Sequence, residues 1–133
     1  VLAEILEAFG KLGYRVEHQV MKAVEFGVPQ KRERVFILGT LDDGPIRFPE
    51  PLFSDESEHL PNTITAGEAI SDLEPLGIGW GYEQLTPYAH SEPTPYQRLM
   101  RGEIDFEKFL AACLEREGLE RAPKQLSIAE WAK

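Results

Sequence analysis

The run Arg34-Val35-Phe36-Ile37-Leu38-Gly39 constrains this chain more than any other feature. Four large apolar residues in a row, two of them β-branched and ended by glycine, read as a strand. An unbroken apolar run, lacking the polar alternation of a half-solvated strand, predicts burial on both faces. The natural neighbour is Tyr14 to Met21, where Tyr14, Val16, His18 and Val20 alternate with Arg15, Glu17 and Gln19. Residues 23–33 between them are too many for a tight turn, and loops of that size often carry function. Ahead of the strands, Val1, Leu2, Ile5, Leu6 and Phe9 recur at helical spacing, with Gly13 as a left-handed stop. The chain thus opens as helix, strand, long loop, strand. No capping residue precedes Val1, so the helix is expected to begin upstream in a longer protein.

Charge then divides the chain. Residues 1–39 carry six basic and five acidic side chains, whereas residues 40–133 carry eight basic and eighteen acidic ones. The overall formal charge of −9 argues against a nucleic-acid binder if averaged, because phosphate contacts need Lys and Arg. The near-neutral first part escapes that argument. Residues 41–62 combine Pro45, Pro49, Pro51 and Pro61 with many acids and read as a linker. Beyond it the helix starts are legible. Thr65-x-x-Glu68 and Thr94-Pro95-x-Gln97 are capping boxes. Asp105 is placed to cap a helix whose apolar stripe is Phe106, Phe109, Leu110, Cys113 and Leu114, with Gly118 closing it. Ser127-x-x-Glu130 starts a further one. The single cysteine and three scattered histidines exclude a disulfide framework and a closed zinc site. No apolar run is long enough for a membrane-spanning helix.

The chemistry concentrates in Phe26-Gly27-Val28-Pro29-Gln30-Lys31-Arg32-Glu33-Arg34. In extended backbone Gln30, Arg32 and Arg34 project to one side, and Lys31 and Glu33 to the other. An amide edge and two guanidinium forks on one side suit a planar hydrogen-bond acceptor. The same spacing also fits a solvated, charged strand end. Cys113 sits in a helical apolar stripe, the usual setting of a small core residue, and Glu115 and Glu117 nearby would raise its thiol pKa. Gly77-Ile78-Gly79-Trp80-Gly81 lacks the preceding strand that a phosphate-binding loop needs, and reads as a turn. Trp80, Tyr82 and Tyr88 suit base stacking or, more commonly, anchoring of a loop. His18, His59 and His90 have no ligand spacing.

Gly13-Tyr14, the block from Phe26 to Arg34 and the apolar strand ending at Gly39 resemble the cytosine-5 DNA methyltransferase family and its Gln-x-Arg-x-Arg block. Thr65-x-x-Glu68-Ala69-Ile70-x-Asp72-Leu73 and Pro95-Tyr96-Gln97-Arg98-x-x-Arg101 are similar to segments that follow it. The resemblance implies an α/β fold. Residues 1–40 would end a Rossmann-like S-adenosylmethionine-dependent catalytic domain, 41–62 would be the Pro- and acid-rich linker, and 63–133 the helical start of the target-recognition region. It implies double-stranded DNA as substrate, S-adenosylmethionine as cofactor, a cytoplasmic prokaryotic setting and a possible cognate restriction enzyme. Enzymes of this family flip a cytosine out of the duplex, because its reacting carbons are unreachable inside the stack. A cysteine thiolate adds to carbon 6, a glutamate helps protonate the ring nitrogen, and carbon 5 takes the methyl group. By resemblance Arg34 hydrogen-bonds the 2-oxo group of the flipped base, while Gln30 and Arg32 support the pocket or contact phosphate. The family's Pro-Cys nucleophile loop, Glu-Asn-Val block and glycine-rich cofactor block do not occur in these residues. Cytosine-5 methylation of transfer RNA and a non-catalytic acidic helical interaction module are the alternative expectations. Residues 1–133 alone are expected to transfer no methyl group to DNA. An assay with labelled S-adenosylmethionine checks this, and detectable turnover would overturn it.

Overall fold

A computed structural model describes residues 1–75, 88 and 92–120. In chain order, α1 (Leu2–Lys11) leads into β1 (Arg15–Lys22), a single 3-10 turn (Ala23–Phe26) and β2 (Glu33–Thr40). A long stretch without helix or strand follows, then α2 (Ala66–Ile70), α3 (Pro95–Met100) and α4 (Phe106–Arg116). This is a small α/β arrangement whose sheet, among the described residues, is the antiparallel pair β1–β2. The further helix expected from Ser127 and the turn carrying Trp80 and Tyr82 lie outside the described residues, as does His90.

The hairpin register pairs Arg15 with Thr40 and Lys22 with Glu33. Opposed residues share a face, so Val16, His18, Val20 and Lys22 lie with Gly39, Ile37, Val35 and Glu33. Arg34 lies on the other face with Met21, Phe36, Leu38 and Gln19. Helix α1 turns into β1 at Gly13, whose φ of +88° is left-handed, and Phe9 meets Tyr14 edge to face at 5.7 Å. The expectation that β2 is buried on both faces is not met. Val35 is 51% exposed, Phe36 48% and Leu38 38%, with Val20 opposite at 55%. The reason is geometric: a two-strand sheet with one short helix beside it has too few layers to cover both faces.

The core lies instead beyond the hairpin. Phe109, Leu110, Cys113 and Leu114 on α4 pack with Leu52, Phe53 and Ile64, flanked by Tyr96, Leu99, Ile104 and Leu119. Two of these, Leu52 and Phe53, come from the Pro- and acid-rich stretch. Both capping boxes form: the Thr65 hydroxyl accepts from the Glu68 N–H at 3.1 Å, and that of Thr94 from the Gln97 N–H at 3.2 Å. The Asp105 carboxylate accepts from the Lys108 N–H at 2.8 Å and starts α4 as expected.

A polar lattice joins the three short helices. The Thr94 hydroxyl donates to the Glu68 carbonyl at 2.9 Å, and the buried Gln97 donates to the Ser71 hydroxyl at 3.0 Å. Arg101 pairs with the buried Asp72 and lies over the Tyr88 ring at 3.8 Å. Arg116 reaches from α4 to the Glu68 carboxylate at 2.5 Å. Burial raises the Glu68 pKa, but the Thr65 N–H, the Thr65 hydroxyl and Arg116 together hold it below its ordinary 4.5. A carboxyl depressed on folding contributes stability above its unfolded pKa and loses it as pH falls through the folded one. Glu68→Gln is therefore expected to cost about 1–2 kcal/mol at neutral pH. The variant's melting temperature should also fall less steeply than the wild type's from pH 4.5 downward. Thermal melts across that range check both; parallel acid limbs would show that Glu68 is not the linked group.

Candidate nucleic-acid interface

The loop between the strands is folded by its own backbone. The Ala23 N–H donates to the Arg32 carbonyl at 2.8 Å and closes the loop's base. Gly27 caps the 3-10 turn with φ +79°, a left-handed conformation that disfavours residues with a Cβ. Its N–H donates back to the Val24 carbonyl at 3.2 Å, and the Val28 N–H to the Ala23 carbonyl at 3.2 Å. Pro29 follows, with its fixed φ. Then come two contracted bonds, Gln30 N–H to Val28 carbonyl at 2.7 Å and Arg32 N–H to Gln30 carbonyl at 2.9 Å. Backbone bonded over two residues is not extended, and regular strand begins only at Glu33.

This changes how the candidate residues are gathered. Lys31, Arg32 and Glu33 line one pocket of about 570 Å³, together with Lys22, Val24, Asp55 and Glu56. Arg34 does not line that pocket; it sits on the hairpin face opposite Glu33, across from Met21. Gln30 is exposed at the bend. Arg32 thus lines the pocket and Arg34 does not, while the Ala23–Arg32 bond sets Arg32 across from Ala23, in step with Arg34 across from Met21. Arg34 is exposed, donates to the Glu33 carbonyl at 2.6 Å, and makes no ion pair among the described residues.

The pocket also brings the basic part of the chain against the acidic part. Lys22, Lys31 and Arg32 face Asp55 and Glu56, and Lys22 pairs loosely with Glu25 at 3.6 Å. The Asp55 carboxylate accepts from the Thr63 N–H at 2.8 Å and hydroxyl at 2.9 Å. These bonds hold its pKa below the ordinary value, with the charge of Lys31 adding to them. Asp55 is thereby oriented by Thr63 and not drawn into a direct salt bridge with the loop. Lys22 and the 55–56 wall were not singled out by sequence. Lys22 ends an ordinary alternating strand, and the 55–56 wall meets it only through the tertiary fold.

The comparisons with known proteins bear on this block. The family described as C-5 cytosine-specific DNA methylase matches residues 1–100. The chain belongs to that family. Within this methylase family it is similar to type II methyltransferase M1.HphI of Haemophilus parahaemolyticus, 42% identical over 58% of this chain and 19% of that protein. Type II methyltransferase M.HaeII of Haemophilus aegyptius is 39% identical over 68% of this chain and 28% of its own length. For type II methyltransferase M.NgoBI of Neisseria gonorrhoeae the identity is 48%, with the same coverage of 68% and 28%. The chain thus spans 19–28% of the length of these relatives. No solved structure matches it significantly. Among the described residues no helix is long and apolar enough to cross a membrane.

The chain's single cysteine is buried in the core, as its stripe predicted. Burial is the main reason its pKa is pushed up to about 11, with Glu68 and Glu117 adding and Arg116 opposing. The carboxylate expected from Glu115 is replaced by Glu68, delivered from α2. At pH 8 roughly one such thiol in a thousand is ionised, and the thiolate is the reactive form. Cys113 is therefore expected to resist a thiol reagent at pH 8 in the folded chain and to react promptly in urea. Equal rates in both states would contradict its burial.

Proposed function

We propose that this chain is part of a DNA cytosine-5 methyltransferase, and that its Gln30–Arg34 block serves the base that is methylated. In this reading the enzyme transfers a methyl group from S-adenosylmethionine to carbon 5 of a cytosine flipped out of DNA. The observation that carries it is the family match, which runs through the block, joined to the exposure of Arg34 at the start of β2. The type II methyltransferase relatives support a bacterial, cytoplasmic setting with a cognate restriction enzyme as functional partner. Residues 1–40 then belong to the catalytic domain, 41–62 connect, and 63–133 open the target-recognition region. The hairpin and α1 are the part of the Rossmann-like domain present.

What these residues do follows from their chemistry. Addition of a nucleophile to carbon 6 of cytosine pushes negative charge onto the ring, partly onto the 2-oxo oxygen. A guanidinium aimed at that oxygen stabilises the charge as it develops, more than it stabilises the neutral base. Arg34 can serve this way because no carboxylate among the described residues already claims it. Arg32, in the basic wall with Lys22 and Lys31, is suited to a backbone phosphate, and Gln30 at the bend to a nearby backbone or base edge. Cys113 is not the nucleophile, being buried and protonated. The described residues do not form a seat for S-adenosylmethionine. Their sheet is a hairpin, and no strand among them passes through a glycine-rich turn into a helix, the arrangement a nucleotide-like group needs. In this reading the cofactor is held elsewhere in the enzyme.

In the full-length protein, Arg34→Ala should lower the single-turnover rate of methyl transfer by about 10²–10³-fold. Binding of S-adenosylmethionine should remain near wild type. Arg34→Lys, which keeps the charge but not the planar fork, should fall between the two. An unchanged rate in Arg34→Ala would sink the role assigned to it.

A further inference from the structure

We propose that Phe53 is a positioning residue for the Gln30–Arg34 block, acting through Gly27. The proposal rests on the reading of Arg34 given above. The loop 23–33 closes on itself, so its internal bonds fix its shape but not its place against the rest of the molecule. Two contacts do that. The Glu25 carbonyl accepts from both the Leu52 N–H at 2.8 Å and the Phe53 N–H at 3.1 Å. The Phe53 ring then lies directly against Gly27. A Cβ on that glycine would stand 3.0 Å from the ring's Cε2 and 3.6 Å from two further ring carbons.

The ring has nowhere to retreat. Phe53 is fully buried, with Phe109 of α4 at 5.8 Å between ring centroids, and Tyr96 meets Phe109 edge to face at 6.0 Å. A close-packed interior transmits such a displacement instead of absorbing it. The distance between the loop and the helical core is therefore set by one aromatic ring meeting a bare Cα. From Gly27 the path to the block is short and stiff, through Pro29 and the bond tying Ala23 to Arg32. The acidic helical half of the chain thus determines where the basic loop sits, although it lends the loop no cation of its own.

The test uses the full-length protein and three variants. Gly27→Ala adds a methyl against the ring in a left-handed position. Gly102→Ala imposes the same kind of backbone strain at φ +71° with nothing within 4 Å, and so reports strain alone. Gly27→Ala combined with Phe53→Leu removes the ring edge the new methyl would strike. A misplacement of about 1 Å at a reacting group costs about 10²-fold in rate. Relieving the contact needs a shift of a few tenths of an ångström, so Gly27→Ala is expected to lower single-turnover methyl transfer by less than that, roughly 3–10-fold, with S-adenosylmethionine affinity unchanged and the loss in kcat. Gly102→Ala should leave the rate near wild type, and the double variant should recover most of the loss. Equal rates in Gly27→Ala and Gly102→Ala, or no recovery in the double variant, would overturn the proposal. Hydrogen exchange at the Ala23 and Val28 amides gives a readout independent of chemistry. Exchange should quicken in Gly27→Ala and slow again in the double variant; unaltered exchange also overturns the proposal. If instead Arg34→Ala leaves the rate untouched while the exchange pattern holds, the failure lies with Arg34 and not with Phe53.

Discussion

The contact between the Phe53 ring and Gly27 joins two halves of opposite electrostatic character. On one side lies a hairpin loop rich in Lys and Arg; on the other, three short helices and a surplus of carboxylates. Phe53 belongs to neither a helix nor a strand, yet it is fully buried. Removing so large a core side chain typically costs about 3–5 kcal/mol, a large fraction of the stability of a domain this size. Here the ring's loss would do two things: open the helical core beside Phe109 and free the loop from the ring that Gly27 meets.

The helical half is held by short-range rules and then locked by polar pairs. Helices α2 and α3 are five and six residues long, far too short to persist by propensity alone. Their reciprocal capping boxes satisfy the first N–H groups, and bonds from Thr94 to the Glu68 carbonyl and from Gln97 to Ser71 set one helix against the other. Glu68 serves both as the capping partner of Thr65 and as the acceptor of Arg116 from α4. One carboxylate therefore closes a helix start and joins two helices.

Much of this was readable from sequence, and what was not has a common cause. The capping boxes at Thr65 and Thr94, the cap at Asp105 and the buried stripe through Cys113 all depend on residues within a turn or two of each other. The two strands followed from periodicity, with β1 displaced by one residue from the expected Tyr14–Met21, but their antiparallel pairing did not. The contracted backbone ahead of Glu33 was not legible, because the block reads as extended chain. The contracted bonds at Gln30 and Arg32 bend the chain before the strand begins, and Arg32 lines the pocket with Lys31. Phe53 was hidden among Pro49, Pro51 and acids, where an apolar pair reads as incidental; its partners are 26 and 56 positions away in the sequence.

The open hairpin gives the chain's acidity a meaning of its own. Among the described residues each strand of the two-strand sheet is an edge, and the hairpin offers Val20, Val35, Phe36 and Leu38 to solvent. Such an edge is a template for pairing with another copy. The charge of −9 supplies mutual repulsion that keeps copies apart. Near the isoelectric point of about 4.8 that repulsion vanishes while the hydrophobic edge remains. Colloidal behaviour in mild acid is thus expected to follow the balance between a neutralised surface and an exposed apolar strand.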